Sequence, residues 1–125
     1  TAISVSAVDS LGKQLRITKS AVADIVSLTD ASTISVNFNS GQNFDVRLGG
    51  SRNLGAPTNV QKGQTGSFFI RQDGTGSRTL SFNAAYDFVG GTAPTLTTTA
   101  SAVDRIDYVV LSSSSVHMAA SLDVK

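Results

Sequence analysis

Apolar and polar side chains alternate along most of this chain, which is typical of half-buried β-strands. Residues 33–38 and 44–48 place an apolar side chain at every second position, and residues 67–72 form an apolar run between glycine-containing loops. Further strand-like runs occupy residues 80–82, 103–111 and 116–124. Many short strands at this spacing predict an all-β fold, specifically an antiparallel β-sandwich of jelly-roll type.

The segments between these runs carry turn-forming residues that predict hairpins. A cluster of Asn, Ser and Gly at residues 39–43 links the first two alternating runs. Asp73 and Gly74 lie between the runs at 67–72 and 80–82, where an Asp-Gly pair supplies the positive φ values of a tight hairpin. Four serines at 112–115 connect the last two predicted strands.

Two segments of the chain resemble each other weakly. Residues 50–54 read Gly-Ser-Arg-Asn-Leu, and residues 76–80 read Gly-Ser-Arg-Thr-Leu. A second echo, Ala-Pro-Thr at 56–58 and at 93–95, has a different spacing. Because the two spacings differ, we interpret the echoes as similar turn chemistry before a strand and not as the period of a solenoid.

Residues 1–22 precede the regular pattern and admit two interpretations. They form either an extended N-terminal arm that adds a strand to a partner's sheet edge or simply the first strand of the sandwich. Residues 23–125 then form a single β-sandwich domain. Under the arm interpretation the partner contacts are the apolar side chains of the segment: Ile3, Val5, Ala7, Leu15 and Ile17.

Composition favours a subunit of an assembly and excludes several classes of function. The 125 residues suffice for one domain, and ten basic against nine acidic residues leave a net charge of +1. So small a charge argues against nucleic-acid and membrane partners. Charged residues make up only 15% of the chain, against about 25% in ordinary domains. The absence of cysteine excludes disulfides and thiolate-bound metals.

No constellation of residues in the sequence predicts catalysis, a cofactor or a metal. His117 is the only histidine and lies in a strand pattern, which indicates a surface or core-edge side chain. Asp104 and Asp107 are separated by an odd number of positions, so they fall on opposite faces of a strand, whereas Arg105 and Asp107 share a face and can pair. The glycine-containing loop after Asp73 lacks the Lys-Ser/Thr of a phosphate-binding loop. We therefore expect that the protein is not an enzyme.

From about Ala23 onward the chain resembles a β domain that recurs in structural proteins of tailed bacteriophages. The resemblance is carried by residues 50–54, 59–60, 63–64, 72–80, 86–88, 90–96 and 100–107. It implies a virion protein on the capsid surface: a head decoration (cement) protein that binds the major capsid protein, with a homotrimer as the expected assembly. The alternative is a tail-fibre or receptor-binding domain that contacts host cell-surface glycan.

Overall fold

The computed structural model of the protein describes residues 16–125, which form nine β-strands and one short 3₁₀ turn at Val89–Gly91. The strands are β1 (Ile25–Ser27), β2 (Thr33–Ile34), β3 (Asn43–Leu48), β4 (Arg52–Leu54), β5 (Thr65–Gln72), β6 (Leu80–Phe82), β7 (Tyr86–Phe88), β8 (Val103–Ser112) and β9 (Ser115–Ser121). The all-β prediction is confirmed for this part of the chain.

The strands form two sheets, and most of their pairings are parallel. The larger sheet has the order β1-β3-β5-β8-β9-β7, and the smaller has the order β2-β4-β6. Of the seven pairings between described strands, only β5 with β8 and β8 with β9 are antiparallel. The prediction of an antiparallel fold is therefore wrong for most of the molecule, because alternation marks a strand without specifying the direction of its neighbour.

The first six strands are arranged as three stacked coils, each of which contributes one strand to each sheet. Coil 1 consists of β1 and β2, coil 2 of β3 and β4, and coil 3 of β5 and β6. Successive coils pair in parallel in both sheets. An isolated parallel bridge between Asn37 and Thr58 extends the contact between coils 1 and 2.

Two of the predicted hairpins are replaced by crossings between the sheets. The chain leaves β2 in the smaller sheet for β3 in the larger one, and it leaves β5 in the larger sheet for β6 in the smaller. After β5 the positive φ angles lie at Gly76 and Ser77 and not at Gly74. The chain therefore turns from the larger sheet into the smaller one instead of forming a hairpin with β5. The third predicted hairpin is confirmed: β8 and β9 pair directly, with an irregularity between Val110 and Ser112.

The echoed segments at 50–54 and 76–80 lie beside each other in successive coils. The backbone N–H of Arg52 donates to the carbonyl oxygen of Thr79 at 2.9 Å, and the N–H of Thr79 donates to Ser51 Oγ at 3.4 Å. Both segments lead into neighbouring strands, β4 and β6, of the same sheet, as expected for similar turn chemistry before a strand, and the register pairs Arg52 with Leu80 and not with Arg78.

One hydrophobic core receives side chains from both sheets. The alternation predicted for residues 33–38 and 44–48 is confirmed, because the apolar positions of both runs are buried. At the centre of the core, Phe68 lies 5.0 Å from Phe44 and 5.5 Å from Tyr108 between ring centroids. The other buried apolar residues are Ile34, Val36, Phe38, Val46, Leu48, Leu54, Ile70, Leu80, Tyr86, Leu96, Ile106, Val110, Val116 and Met118.

Candidate partner-binding surface

The outward face of the larger sheet is an open surface in the described part of the chain. Its side chains alternate with the buried ones, so each strand that contributes to the core also contributes to this surface. A row of directly paired residues crosses it through Asp45 of β3, Phe69 of β5 and Arg105 of β8. We call this side of the sheet the outward face.

Four charged groups on the outward face form two ion pairs, while Arg47 of β3, on the same face, is exposed and belongs to neither pair. Arg71 donates two hydrogen bonds to Asp45, at 2.8 and 2.6 Å, in the bidentate geometry that suits a guanidinium and a carboxylate. Arg105 donates to Asp107 at 2.9 and 3.3 Å, which confirms the predicted pair, and Ser67 donates to the same carboxylate at 2.6 Å. The outward face therefore offers polar groups with little net charge.

A shallow groove of 380 Å³ runs along the β1 side of the outward face. The half-buried ring of Phe69 forms part of its wall, and the Asp45–Arg71 pair supplies its charged groups. Ile25, which is 57% exposed, lies at its margin. The groove thus combines an apolar wall with a bidentate ion pair.

The opposite side of the outward face is more apolar. Val109 of β8 is 54% exposed and is paired with His117 of β9. Val89, in the short turn after β7, is 89% exposed and lines the same shallow depression as Val109. Exposed aliphatic side chains beside internally paired charges are suited to contact with another protein surface.

Asp104 lies on the buried face of β8 and has a structural role. Its side chain is only 2% exposed. One carboxylate oxygen accepts the backbone N–H of Thr97 at 2.8 Å, and the other accepts that of Asp123 at 2.8 Å. The carboxylate therefore joins the long loop before β8 to the segment after β9. Asp104 and Asp107 occupy opposite faces, as predicted.

Two further ion pairs hold segments between strands: Asp73–Arg78 lies in the crossing from β5 to β6 within coil 3, and Asp30, between β1 and β2 of coil 1, pairs with Arg52 at the start of β4. Arg78 donates to Asp73 at 2.8 Å, and its hydrogen bonds, together with the backbone N–H of Gly76, lower the pKa of Asp73 to about 2. The side-chain hydrogen bonds from Arg52 lower the pKa of Asp30 in the same way. Asp73 thus stabilises the segment between β5 and β6.

The predicted contact residues fall mainly outside the described part of the chain. Ile3, Val5, Ala7 and Leu15 lie outside the described residues. Ile17 is described, is 53% exposed and belongs to no strand. Residues 16–24 as a whole are exposed and lie outside the strands.

Sequence reasoning overlooked the outward face, although the signal was present. The apolar run that contains Phe69 indicates a buried strand, yet strand alternation places Phe68 and Phe69 on different faces of the sheet. Alternation within residues 103–111 likewise places Val109 on the face opposite to that of Tyr108. His117 is exposed, as predicted.

Within residues 16–125 no group of three or more His, Cys, Asp or Glu side chains has the arrangement of a metal site. Across the same residues, no helix has the length and apolar character needed to span a membrane. No protein-family model, curated protein or solved structure matches the chain. The resemblance to bacteriophage virion proteins therefore remains a prediction from the sequence.

Proposed function

We propose that the protein is a structural component of a tailed-bacteriophage virion, and specifically a capsid decoration protein that binds and stabilises the lattice of the major capsid protein. The motif string in residues 50–107 supports the virion class. The observation that carries the proposed role is the outward face, which combines exposed aliphatic side chains with internally paired charges.

Such a surface is suited to a protein partner because four of its charged groups already form two ion pairs and need no counterpart on that partner. Asp45 keeps Arg71, and Asp107 keeps Arg105, when water is excluded around them. For these four groups, the cost of leaving a charge unpaired in the interface is thereby avoided. Val109 and Val89 contribute apolar area at the same time.

The proposal includes the architecture and assembly of the subunit. We interpret the two sheets as the layers of a sandwich, since both contribute to one core. We expect a homotrimer, because subunit faces that carry few charges can pack around a symmetry axis without burying many unpaired charges. Residues 1–22 act as an N-terminal arm whose apolar side chains, Ile17 among them, contact a partner.

A second candidate is a tail-fibre or receptor-binding domain that contacts cell-surface glycan. The groove beside Phe69 favours it, because an aromatic wall next to a carboxylate and a guanidinium offers a sugar both an apolar face and hydrogen-bonding groups. The two candidates differ in the number of copies per particle. A decoration protein covers the capsid lattice, whereas a fibre domain is confined to the few fibres of the tail.

The first test is the molar ratio of this protein to the major capsid protein in purified virions, measured by quantitative mass spectrometry. A ratio of the same order as one supports decoration. A ratio of a few per cent, with the protein located on the tail by immunogold labelling, contradicts it and supports the fibre domain.

The second test is the rebinding of purified protein to particles from which it has been stripped. Val109→Asp places a charge on the outward face and is expected to weaken rebinding about tenfold or more. Thr33→Asp is the matched control, since it adds the same charge at an exposed β-branched position in the smaller sheet. Both variants should retain the melting temperature of the parent. Equal rebinding by the two variants would exclude the outward face as the capsid contact.

A further inference from the structure

The outward face carries two charged side chains that form no ion pair within residues 16–125. Arg47 of β3 is exposed, and the ion pairs between described residues all form without it. Asp87 of β7 is also exposed and accepts a hydrogen bond from the hydroxyl group of Ser115, but no Lys or Arg of the described chain pairs with it. We call Arg47 and Asp87 the two unmatched charges of the outward face.

The neighbouring strands explain why Arg47 has no partner. The register places it directly opposite Arg71 of β5, which is another cation. Asp45 lies two positions before Arg47 on the same face of β3, but Arg71 engages both of its carboxylate oxygens. On the other side, the pairing of β1 with β3 ends at Ser27 and Asp45, so β1 has no strand position opposite Arg47. Because like charges directly opposite each other are unfavourable in a sheet, an anion beside Arg47 would stabilise this corner of the face.

Asp87 lies at the opposite corner of the outward face. It belongs to the edge strand β7 and pairs with His117 of β9, which pairs in turn with Val109 of β8. The row of Arg47 instead reaches β8 at Val103, at the other end of that strand. The two unmatched charges are therefore separated by four strand spacings of ~4.8 Å and by six residues of ~3.3 Å each, which gives roughly 28 Å across the face.

We propose that the surface of the major capsid protein that the outward face binds presents a carboxylate opposite Arg47 and a cationic side chain opposite Asp87. When water is excluded around an unmatched charge, the interface is destabilised unless the partner supplies the opposite charge. A carboxylate suits Arg47 because a guanidinium binds it through two parallel hydrogen bonds. The inference rests on the proposed function and names the charge pattern of the partner at the same surface.

Two opposite charges at distant corners also define the orientation of the bound subunit. Half a turn of the subunit about the normal to the sheet exchanges the positions of Arg47 and Asp87, and it sets each against a partner group of like charge. Like-charge contacts of this kind suppress wrong arrangements. Apolar contacts such as that of Val109 are not directional, because burial of apolar surface depends on its area. Arg47 and Asp87 are thus specificity residues, whereas Val109 contributes to affinity.

Carbodiimide cross-linking on particles tests the carboxylate opposite Arg47. The reagent activates a carboxylate, which then forms an amide bond with an amine in direct contact. Arg47→Lys keeps the positive charge and introduces the amine, so we expect a cross-link from this position to an Asp or Glu of the major capsid protein, located by mass spectrometry. Lys62, exposed in the loop before β5, is the internal control and should give none. A variant that rebinds normally but cross-links only through Lys62 would contradict the proposal.

The kinetics of rebinding to stripped particles provide an independent test. Arg47→Glu and Asp87→Lys should each lower the association rate about tenfold at low ionic strength, and added salt should reduce this deficit because it screens the attraction between exposed charges. Lys62→Glu makes the same change of charge as Arg47→Glu but in the loop before β5, and it should leave the rate unchanged. The melting temperature of each variant is measured to exclude unfolding as the cause.

The outcomes distinguish this inference from the proposed function. If Val109→Asp prevents rebinding while Arg47→Glu and Asp87→Lys rebind at the rate of the parent, the face binds the capsid through apolar contacts alone: the inference is overturned and the proposed role stands. If Arg47→Glu impairs adsorption to host cells but not rebinding to particles, the unmatched charge belongs to the glycan candidate, which also overturns the inference. A parent protein that does not rebind to stripped particles overturns both.

Discussion

The two faces of the larger sheet are built from the same strands and from similar residues, yet they have different roles. Phe68 and Phe69 are consecutive in β5. Phe68 is fully buried, with four aromatic rings within 6.4 Å of its centroid, whereas Phe69 is half-buried beside the groove. One side chain packs between the two sheets, and the other lies partly exposed at the surface.

The carboxylates of β8 repeat this contrast. Asp104, on the buried face, accepts two backbone N–H groups and ties together segments distant in sequence. Asp107, on the outward face, accepts hydrogen bonds from Arg105 and Ser67. Burial, and not residue type, distinguishes the two carboxylates, since a buried polar group without its hydrogen-bond partners costs far more free energy than an exposed one.

The largest expected effect is at the centre of the core. Phe68→Ala leaves a cavity among four aromatic rings and should lower the free energy of unfolding by about 3–5 kcal/mol. Phe69→Ala, one position away, should lower it by about 1 kcal/mol or less. Denaturant titration followed by tyrosine fluorescence gives both values. Similar losses for the two variants would contradict the assignment of the two faces.

An intermediate effect is expected at Asp104. Asp104→Asn keeps one acceptor oxygen but turns an amide N–H group toward a backbone N–H, so the free energy of unfolding should fall by about 2 kcal/mol. Asp107→Asn is the matched control on the outward face and should cost about 0.5 kcal/mol, as for an exposed pair. If the control is the more destabilising of the two, the contrast between the carboxylates is wrong.

The smallest expected effect is a change in melting temperature at Asp73, a carboxylate that lies on neither face of the larger sheet. This effect depends on pH. Because its folded-state pKa is lowered from 3.8 to about 2, Asp73 stabilises the fold fully above pH 3.8, and this contribution is lost as the pH falls toward 2. The difference in melting temperature between the parent and Asp73→Asn should therefore be greatest above pH 4 and shrink on acidification. Arg78→Gln should show the same pH dependence. A difference that stays constant down to pH 2 would exclude the ion pair as its source.

Local patterns predicted the features that depend on neighbours in sequence. Alternation identified the inward positions of β3 and of residues 33–38, and it separated Asp104 from Asp107. The β8–β9 hairpin was also predictable, because its strands are joined by a short serine turn and contact each other directly. In each case the information lies within a few residues of the position concerned.

Local patterns did not predict which strands become neighbours. The predicted hairpin between residues 33–38 and 44–48 is instead a crossing between the sheets, and the partner of β3 on either side is a strand from another coil. The Asp45–Arg71 ion pair was missed for the same reason, since Asp45 meets Arg71 only when β3 and β5 are side by side.

The sequence by itself determined that this is a β protein, which side chains face inward along its strands, and that it carries little net charge. Only the tertiary structure decided that most pairings are parallel, that the first six strands stack as coils, and that, among residues 16–125, one sheet face and the edges of coil 1 have no further layer or strand on them. The physical reason is that alternation constrains a strand to have one buried face but is the same for parallel and antiparallel neighbours. Pairing is selected by contacts between distant residues, such as those of Phe68 with Phe44 and Tyr108, which exist only once the core has formed.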